Sequence, residues 1–202
     1  MRAYYRSLKP LILWREVERP LCWARLFGRV APVELEIGFG NGDYLVARAQ
    51  QHPERDFVGI ELEWESVQRT LRRIAGAGVT NVRVLLGDAR PILWRAIAPE
   101  SLARVYTLFP CPWPKKHHHK HRLLTQTHLQ LINSRLQAGG ECYLLTDHAE
   151  YFQWVLGNLT DTGFTAYART VPPQVGTKYE RKWLAEGQSR FYELTLTKVQ
   201  HC

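Results

Sequence analysis

The chain has 202 residues, of which 45% are apolar and 23% charged, a composition typical of a folded globular protein rather than a disordered one. Its 27 Lys and Arg against 19 Asp and Glu give a net charge of +8, which favours an anionic partner, most often nucleic acid. No apolar run approaches the roughly 20 residues of a membrane helix, and the four cysteines form no C-x-x-C pair. We therefore expect a cytoplasmic protein with neither a disulfide framework nor a zinc knuckle.

Segments typical of strands and helices alternate from residue 33 to near the C-terminus. The predicted strands cover residues 33–37, 56–61, 81–86, 104–109, 141–146, 164–170 and about 192–196. The predicted helices cover residues 44–51, 64–74, 92–97, 122–136 and 151–159. Asp43 is the predicted N-cap of the first helix, and Gly139-Gly140 the predicted end of the fourth.

Five successive strand–helix units predict a doubly wound, Rossmann-like α/β fold with a mostly parallel sheet. No helical pattern separates the last two strands, so we expect them to form an antiparallel pair at the sheet edge. Residues 1–32 mix Arg, Trp and Tyr without a clear period and are predicted to be an N-terminal arm before a domain of residues 33–202. Ligands of such folds bind at the carboxyl ends of the strands.

A glycine-rich turn follows the first of these strands. Gly38, Gly40 and Gly42 allow the backbone to approach a ligand closely, which makes Gly38 and Gly40 candidate cofactor contacts. The dinucleotide fingerprint G-x-G-x-x-G is not met, because Asp43 stands at the place of its third glycine. The turn alone is also consistent with a simple tight strand-to-helix connection.

Three acidic residues surround this turn in the predicted sheet. Glu36 precedes the turn, Glu61 ends the second strand and Asp88 follows the third. An acid at the end of the second strand suits a ribose diol, whereas Glu36 would repel a pyrophosphate. S-adenosylmethionine carries an ammonium and a sulfonium but no phosphate, so we favour it as the cofactor, with Asp88 near its adenine amino group. A nicotinamide oxidoreductase is the less favoured alternative.

The loop after the fourth strand combines cations, histidines and a tryptophan. Its four fixed cations lie within eight residues and are Lys115, Lys116, Lys120 and Arg122. Cations for phosphates beside a ring for an unstacked base are features of RNA recognition. The alternative is that this segment is an ordinary solvent-exposed loop without a ligand. No metal is expected, because consecutive side chains such as His117 to His119 rarely converge on one tetrahedral centre.

Together these motifs resemble the tRNA (guanine-N7)-methyltransferases, which are class I S-adenosylmethionine-dependent enzymes. The resemblance runs in order from residue 33 to residue 197 and is carried by residues 35–42, 59–61, 110–122, 146–147 and 177–180. It implies the class I methyltransferase fold and methylation of a guanosine in the variable loop of tRNA. It implies cofactor binding by Glu36, Glu61 and Asp88. It implies tRNA contacts by Lys115, Asp147, Thr177, Lys178, Tyr179 and Glu180.

The chain departs from the family clearly at one position and more mildly at a second. Where the family has its catalytic aspartate between two prolines, this chain has Cys111, and Tyr179 replaces the usual phenylalanine. Guanine N7 is a neutral lone pair, so alignment with the methyl group is required but proton removal is not. Two interpretations follow: an active tRNA guanine-N7 methyltransferase, or a weakened relative that binds tRNA or the methyl donor without efficient methylation.

Two other carboxylates are candidate acceptors for the guanine edge. They are Asp147 and Glu180, for which the bland alternatives are a helix N-cap and a surface salt bridge respectively. The sequence leaves the oligomeric state open between a monomer and a homodimer.

Overall fold

The computed structural model describes residues 10–200, and its strands form a single eight-stranded sheet. The strands are β1 (Leu11–Ile12), β2 (Val33–Ile37), β3 (Asp56–Glu61), β4 (Val82–Leu86), β5 (Leu102–Leu108), β6 (Leu136–Thr146), β7 (Phe164–Val171) and β8 (Phe191–Lys198). The helices are α1 (Trp23–Phe27), α2 (Asp43–Gln51), α3 (Trp64–Ala77), α4 (Ala89–Arg95), α5 (Gln126–Arg135), α6 (Ala149–Gly157) and α7 (Lys178–Ala185). A 3-10 helix covers Lys116–His121.

The strand order is β1-β4-β3-β2-β5-β6-β8-β7. β1 to β6 pair in parallel, while β8 is antiparallel to both β6 and β7. The predicted doubly wound sheet with an antiparallel edge is therefore confirmed. Because β2 to β6 run the same way, the loops that follow them meet at one edge.

The two faces of the sheet bury different sets of side chains. Leu35 and Ile37 of β2 face a core completed by α4, α5 and α6, and the opposite face is covered beside β3 and β4 by α2 and α3. Glu34 and Glu36 alternate with those apolar residues and so point to the α2 side. Glu34 is fully buried and is satisfied there by the Tyr106 hydroxyl at 2.8 Å and by Arg55 at 2.6 Å.

The N-terminal segment is joined to this sheet within the described residues. Leu11 and Ile12 form a parallel strand against Val84 and Leu85 of β4, and Trp14 is buried beside them. The predicted division of the chain at residue 32 stays a prediction, and residues 1–9 of the predicted arm lie outside the described residues. Among residues 10–200, no helix combines the length and apolar character needed to cross a bilayer.

Two local predictions of secondary structure are wrong. α5 ends at Arg135 and β6 starts directly at Leu136, so Gly139 and Gly140 lie inside a strand and do not end a helix. The pairing with β5 shifts between Leu102 and Arg104, and the glycines occupy the resulting bulge. The first residue of α2 is Asp43 itself, and its N-cap is Gly42.

The third correction concerns the segment between β7 and β8, where no helix was predicted. α7 forms there because Thr177 caps it by accepting from the Glu180 backbone N–H at 3.2 Å. Thr177 and Glu180 stand at the spacing of a capping box, a signal that marks a helix start without a long apolar stripe. α7 brings the Thr177–Tyr179 segment to the carboxyl edge of the sheet.

Candidate cofactor and RNA site

A cleft of about 590 Å³, open to solvent, lies at the carboxyl edge of the sheet. It is lined by the glycine turn, by the start of α2, by one turn of α3, by the end of β5 and by the start of α7. Of the predicted site residues, six line it: Glu36, Gly38, Gly40, Thr177, Lys178 and Tyr179. The cleft thus joins part of the predicted cofactor set to part of the predicted tRNA set.

The glycine turn has a backbone conformation that side chains disfavour. Gly38 and Gly40 have φ values of +76° and +54°, in the left-handed region where glycine is strain-free. Glu61 at the end of β3 holds the turn, because its Oε2 accepts from the Gly40 N–H at 2.8 Å. The other oxygen of Glu61 accepts from the N–H groups of Leu62 and Glu63 at 2.7 and 3.1 Å. Glu61 therefore orients the turn. It ends β3 as predicted but does not line the cleft, so its ribose contact stays a prediction.

Glu36 is the most unusual charge in the cleft. Its side chain is only 3% exposed, and its Oε2 has no hydrogen-bond partner among the described residues. Burial, together with the nearby charges of Glu61 and Asp43, raises the pKa of Glu36 to about 8. A buried carboxylate with a vacant acceptor is costly unless a donor or cation reaches it. The unbonded carboxylate oxygen of Glu36 therefore fits a ligand that carries an ammonium group.

Asp88 is engaged elsewhere in this structure. It caps α4 by accepting from the Arg90 N–H at 3.0 Å, and its carboxylate also pairs with the Arg90 guanidinium. The hydrogen bond from that guanidinium lowers the pKa of Asp88. Asp88 follows β4 as predicted but does not line the cleft, so an adenine contact by Asp88 stays a prediction.

The loop after β5 is anchored by a buried arginine. Arg122 is fully buried, and its Nε donates to the Pro112 carbonyl at 2.8 Å. Its other nitrogens bond both Glu150 oxygens at 3.1 and 2.6 Å, and its guanidinium lies over the Trp154 ring at 4.8 Å. The expectation that Arg122 contacts phosphate is therefore wrong. Its charge serves to hold the loop, and only burial in three dimensions reveals this.

The remaining cations of this loop are available to a ligand. Lys115, Lys116 and Lys120 are exposed on and beside the 3-10 helix. Trp113 packs against the rings of His118 and His121, with centroids 5.6 and 5.2 Å apart. Within residues 10–200 no three His, Cys, Asp or Glu residues are grouped as metal ligands, and the absence of a metal stays a prediction.

Cys111 is exposed and lies between Pro110 and Pro112. It does not line the cleft, although Phe109, two residues before it, does. Cys22 and Cys142 are free thiols like Cys111, and Cys202 lies outside the described residues.

Asp147 follows β6 as a half-buried residue. His148, not Asp147, caps α6 by accepting from the Tyr151 N–H at 3.2 Å, so the N-cap alternative for Asp147 is wrong. Within residues 10–200 the Asp147 carboxylate makes no hydrogen bond or ion pair. It is therefore a vacant acceptor near the carboxyl edge of the sheet.

Glu180 has a different environment from the one expected of a surface residue. It is 2% exposed, and its carboxylate accepts from the N–H groups of Gln174, Val175 and Gly176. The surface salt-bridge alternative is therefore wrong. Tyr179, next to it in the chain, is exposed and stacks on Phe109 with an interplanar angle of 21°. Glu180 shapes the segment whose exposed members reach the cleft.

Sequence reasoning missed two arginines that hold the glycine turn. Arg69 and Arg73 of α3 donate to Asn41 of the turn, at 2.7 and 3.1 Å. Their i, i+4 spacing places them on one helix face, which is the signal the sequence carried. The spacing alone did not predict that this helix face contacts Asn41 of the glycine turn.

The strand order, the glycine turn and the acid that ends β3 define a class I S-adenosylmethionine-dependent methyltransferase. The family model described as "Putative methyltransferase" matches residues 30–193. The solved structure of the 16S rRNA methyltransferase KamB superposes with a TM-score of 0.70 over 94% of this chain and 99% of that chain. At 14% identity this likeness shows the fold alone.

Two curated relatives identify the family. The tRNA (guanine-N(7)-)-methyltransferase of Chlorobium phaeobacteroides is 40% identical over 84% of this chain and 83% of its own length. That of Cutibacterium acnes is 38% identical over 86% of this chain and 66% of its own length. The chain belongs to the tRNA (guanine-N(7)-)-methyltransferase family. The nicotinamide oxidoreductase alternative is not favoured by these matches.

Glu61→Ala should weaken binding of S-adenosylhomocysteine. The substitution removes one or two hydrogen bonds to an uncharged diol and releases the Gly40 N–H, which together are worth about 1–3 kcal/mol, or roughly 5- to 150-fold in Kd. Isothermal titration calorimetry measures this. Glu63→Ala is the matched control, because Glu63 is an exposed acid two residues on whose side chain makes no capping bond. Equal affinities for the two variants would contradict the ribose role of Glu61.

Proposed function

We propose that this protein transfers the methyl group of S-adenosylmethionine to N7 of a guanosine in the variable loop of tRNA. The observation that carries the proposal is the cleft in which the glycine turn faces the Thr177–Tyr179 segment. A methyl donor held by the turn and a base held by the segment would meet there. We also propose that the protein is located in the cytoplasm, which contains the tRNA pool.

The residues around the glycine turn suit the two ends of the donor. S-adenosylmethionine supplies an electrophilic methyl group when it is bound. Glu36, with its vacant buried Oε2, would receive the ammonium, and Glu61 would receive the ribose hydroxyls while it braces Gly40. Asp88 would accept from the adenine amino group on exchanging part of its pairing with Arg90.

The residues on the other side of the cleft suit a guanine base. The exposed ring of Tyr179, stacked on Phe109, presents an aromatic face that an unstacked base can cover. Asp147 follows β6 outside the cleft lining and would accept from the N1-H and N2-H edge, because Glu180 already bonds three backbone amides. No residue has to remove a proton, since N7 attacks as a neutral lone pair.

The chain's contribution to the rate is then alignment and charge stabilisation. Holding the base and the donor in line converts a bimolecular step into a unimolecular one. Methylation leaves a positive charge on the guanine ring, and a carboxylate beside it stabilises that charge as it develops. The weakened-relative alternative differs only in how well position 111 serves this purpose.

A transcript in which 7-deazaguanosine replaces guanosine tests the proposed reaction, because it lacks the N7 atom. We expect methyl transfer from labelled S-adenosylmethionine to an unmodified tRNA transcript and none to the 7-deaza transcript, with both transcripts bound. Methylation of the 7-deaza transcript would contradict N7 as the target. Binding of both transcripts without methylation of either would favour the weakened relative.

Affinity for tRNA should fall steeply with salt through the exposed lysines of the 3-10 helix. Replacing Lys116 and Lys120 together by Ala should flatten the slope of log K against log salt by about 0.7 to 0.9 for each phosphate that is no longer neutralised. Fluorescence anisotropy at several salt concentrations measures the slope. Lys198→Ala is the control, because Lys198 pairs with Glu100 at the opposite edge of the sheet. An unchanged slope in the double variant would place the RNA surface elsewhere.

A further inference from the structure

Three residues of α3, which are Arg69, Thr70 and Arg73, contact the glycine turn. The Thr70 hydroxyl donates to the Gly40 carbonyl at 3.3 Å. The Arg69 Nε donates to the Asn41 side-chain carbonyl at 2.7 Å, and the Arg73 Nε donates to the Asn41 main-chain carbonyl at 3.1 Å. The N–H of Gly40 is thus bonded to Glu61 and its carbonyl to Thr70, while two arginines hold Asn41.

Arg73 also ties the turn to the helix that follows it. Its Nη2 lies 2.8 Å from Oδ1 of Asp43, the first residue of α2. The fit between turn and helix is close, since a Cβ on Gly42 would lie 2.5 Å from the Thr70 Cγ2. The turn and α3 are therefore fitted to each other by both shape and hydrogen bonding.

These contacts are expected to raise ligand affinity, because a glycine-rich turn is conformationally flexible when nothing holds it. Its glycines have positive φ, and glycine loses more conformational freedom on ordering than any other residue. Ordering a loop at the moment of binding weakens affinity, whereas a loop ordered in the free protein avoids that loss. Side chains that hold the turn before the ligand arrives therefore raise affinity. Thr70 and Arg73 lie outside the cleft lining and can do so without touching the ligand, whereas Arg69 also lines the cleft.

We propose that Arg69, Thr70 and Arg73 are positioning residues of the cofactor site, which hold the glycine turn in its ligand-binding conformation. They act through Gly40, Asn41 and Asp43, and α3 serves as the rigid support for these contacts. This inference rests on the proposed function, since it assumes that the turn binds the methyl donor.

The chain offers a matched control in Arg72. It lies in the same helix, is exposed, and makes no hydrogen bond or ion pair within the described part of the chain. Arg72→Ala therefore removes the same charge and changes helix propensity by the same amount as Arg69→Ala or Arg73→Ala. Thr70→Val removes only the hydroxyl and keeps the shape, so it tests the same bracing with a smaller risk to folding.

The test is calorimetric titration of the full chain with S-adenosylhomocysteine, combined with amide hydrogen exchange at Gly40, Asn41 and Gly42. Arg69→Ala and Arg73→Ala should each weaken binding by about 3- to 30-fold, with a less favourable binding entropy and faster exchange in the turn. Thr70→Val should show the same effects at the lower end, and Arg72→Ala should stay within about twofold of the parent.

Steady-state kinetics separate positioning from general structural damage. The KM for S-adenosylmethionine should rise in the Arg69 and Arg73 variants, while kcat at saturating donor and the KM for tRNA stay unchanged. Equal binding and equal exchange in the Arg69, Arg72 and Arg73 variants would overturn the inference. Failure of the parent protein to bind S-adenosylhomocysteine would instead overturn the proposed function, and hydrogen exchange in the turn would still decide whether α3 holds it.

Discussion

Cys111→Asp should raise the rate of single-turnover methyl transfer to tRNA by roughly 10- to 150-fold, because a charge-assisted hydrogen bond is worth about 1.5–3 kcal/mol. The thiol is a poor acceptor, whereas a carboxylate can accept from the guanine edge or stabilise the charge that develops on the ring. The backbone around position 111 is constrained by Pro110 and Pro112, and Arg122 holds the Pro112 carbonyl. A side chain placed there therefore has a defined direction.

Cys111→Ser is the matched control, because serine keeps the shape of cysteine and lacks its nucleophilic sulfur. We expect this variant to stay near the parent rate in the same single-turnover assay. A collapse of activity would show a chemical role for the thiol. If the parent is already fast and Cys111→Asp adds nothing, Asp147 supplies the acceptor, since the Glu180 carboxylate is taken up by three backbone N–H groups.

Binding of S-adenosylhomocysteine should release close to one proton at pH 7 and should strengthen by up to tenfold per pH unit until about pH 8. In the free protein the pKa of Glu36 is about 8, so its carboxyl is mainly neutral at pH 7. An ammonium beside it favours the ionised form, so the proton leaves as the ligand binds. Calorimetry in buffers of different ionisation enthalpy counts the protons directly.

The raised pKa of Glu36 affects the stability of the free protein in the opposite direction: ligand binding strengthens as pH rises, whereas the free energy of unfolding falls. The folded-state pKa of Glu36 lies above its ordinary value of 4.5, so the folded protein binds the extra proton. The contribution of Glu36 to stability is therefore lost progressively as pH rises from about 4.5 to 8. The charges that face Glu36 are Glu61 and Asp43, and both act in this direction.

Glu36→Gln is the control for both effects. It should abolish proton release and the pH dependence of binding, and should weaken affinity by about 2–5 kcal/mol, or roughly 30- to several thousand-fold, at pH 8. The free variant should lose the decline in melting temperature between pH 4.5 and 8. Proton release that persists in Glu36→Gln would assign the titration to another group.

The sequence by itself determined the elements whose signal is local. The alternation in Val33–Ile37 and the apolar run in Asp56–Glu61 were sufficient to predict β2 and β3, and the 3-4-3 apolar spacing predicted α3. The order of strand–helix units then predicted the parallel sheet, because right-handed crossovers leave few topologies. From that topology it followed that the glycine turn and the acid of β3 stand at the same edge.

Only the tertiary structure decided which polar groups are buried and what they bond. Arg122 and Glu180 lie in segments that read as surface, yet both are buried because backbone groups from other parts of their loops satisfy them. The exposed cations and the buried one in the loop after β5 look alike in the sequence. Burial depends on how each loop folds back over the residue, and for Arg122 also on Glu150, 28 residues away, so a local pattern does not encode it.

The same reason explains the roles of Glu36 and of the α3 arginines. The alternation along β2 separated Glu36 from Leu35 and Ile37, but only the packing of α2 against that face shows that Glu36 is buried with an unbonded Oε2 near Glu61 and Asp43. The helical spacing placed Arg69 and Arg73 on one face, but the turn they hold is 28 and 32 residues away. Local periodicity determines which way a side chain points, and the packing of separate elements determines what it meets.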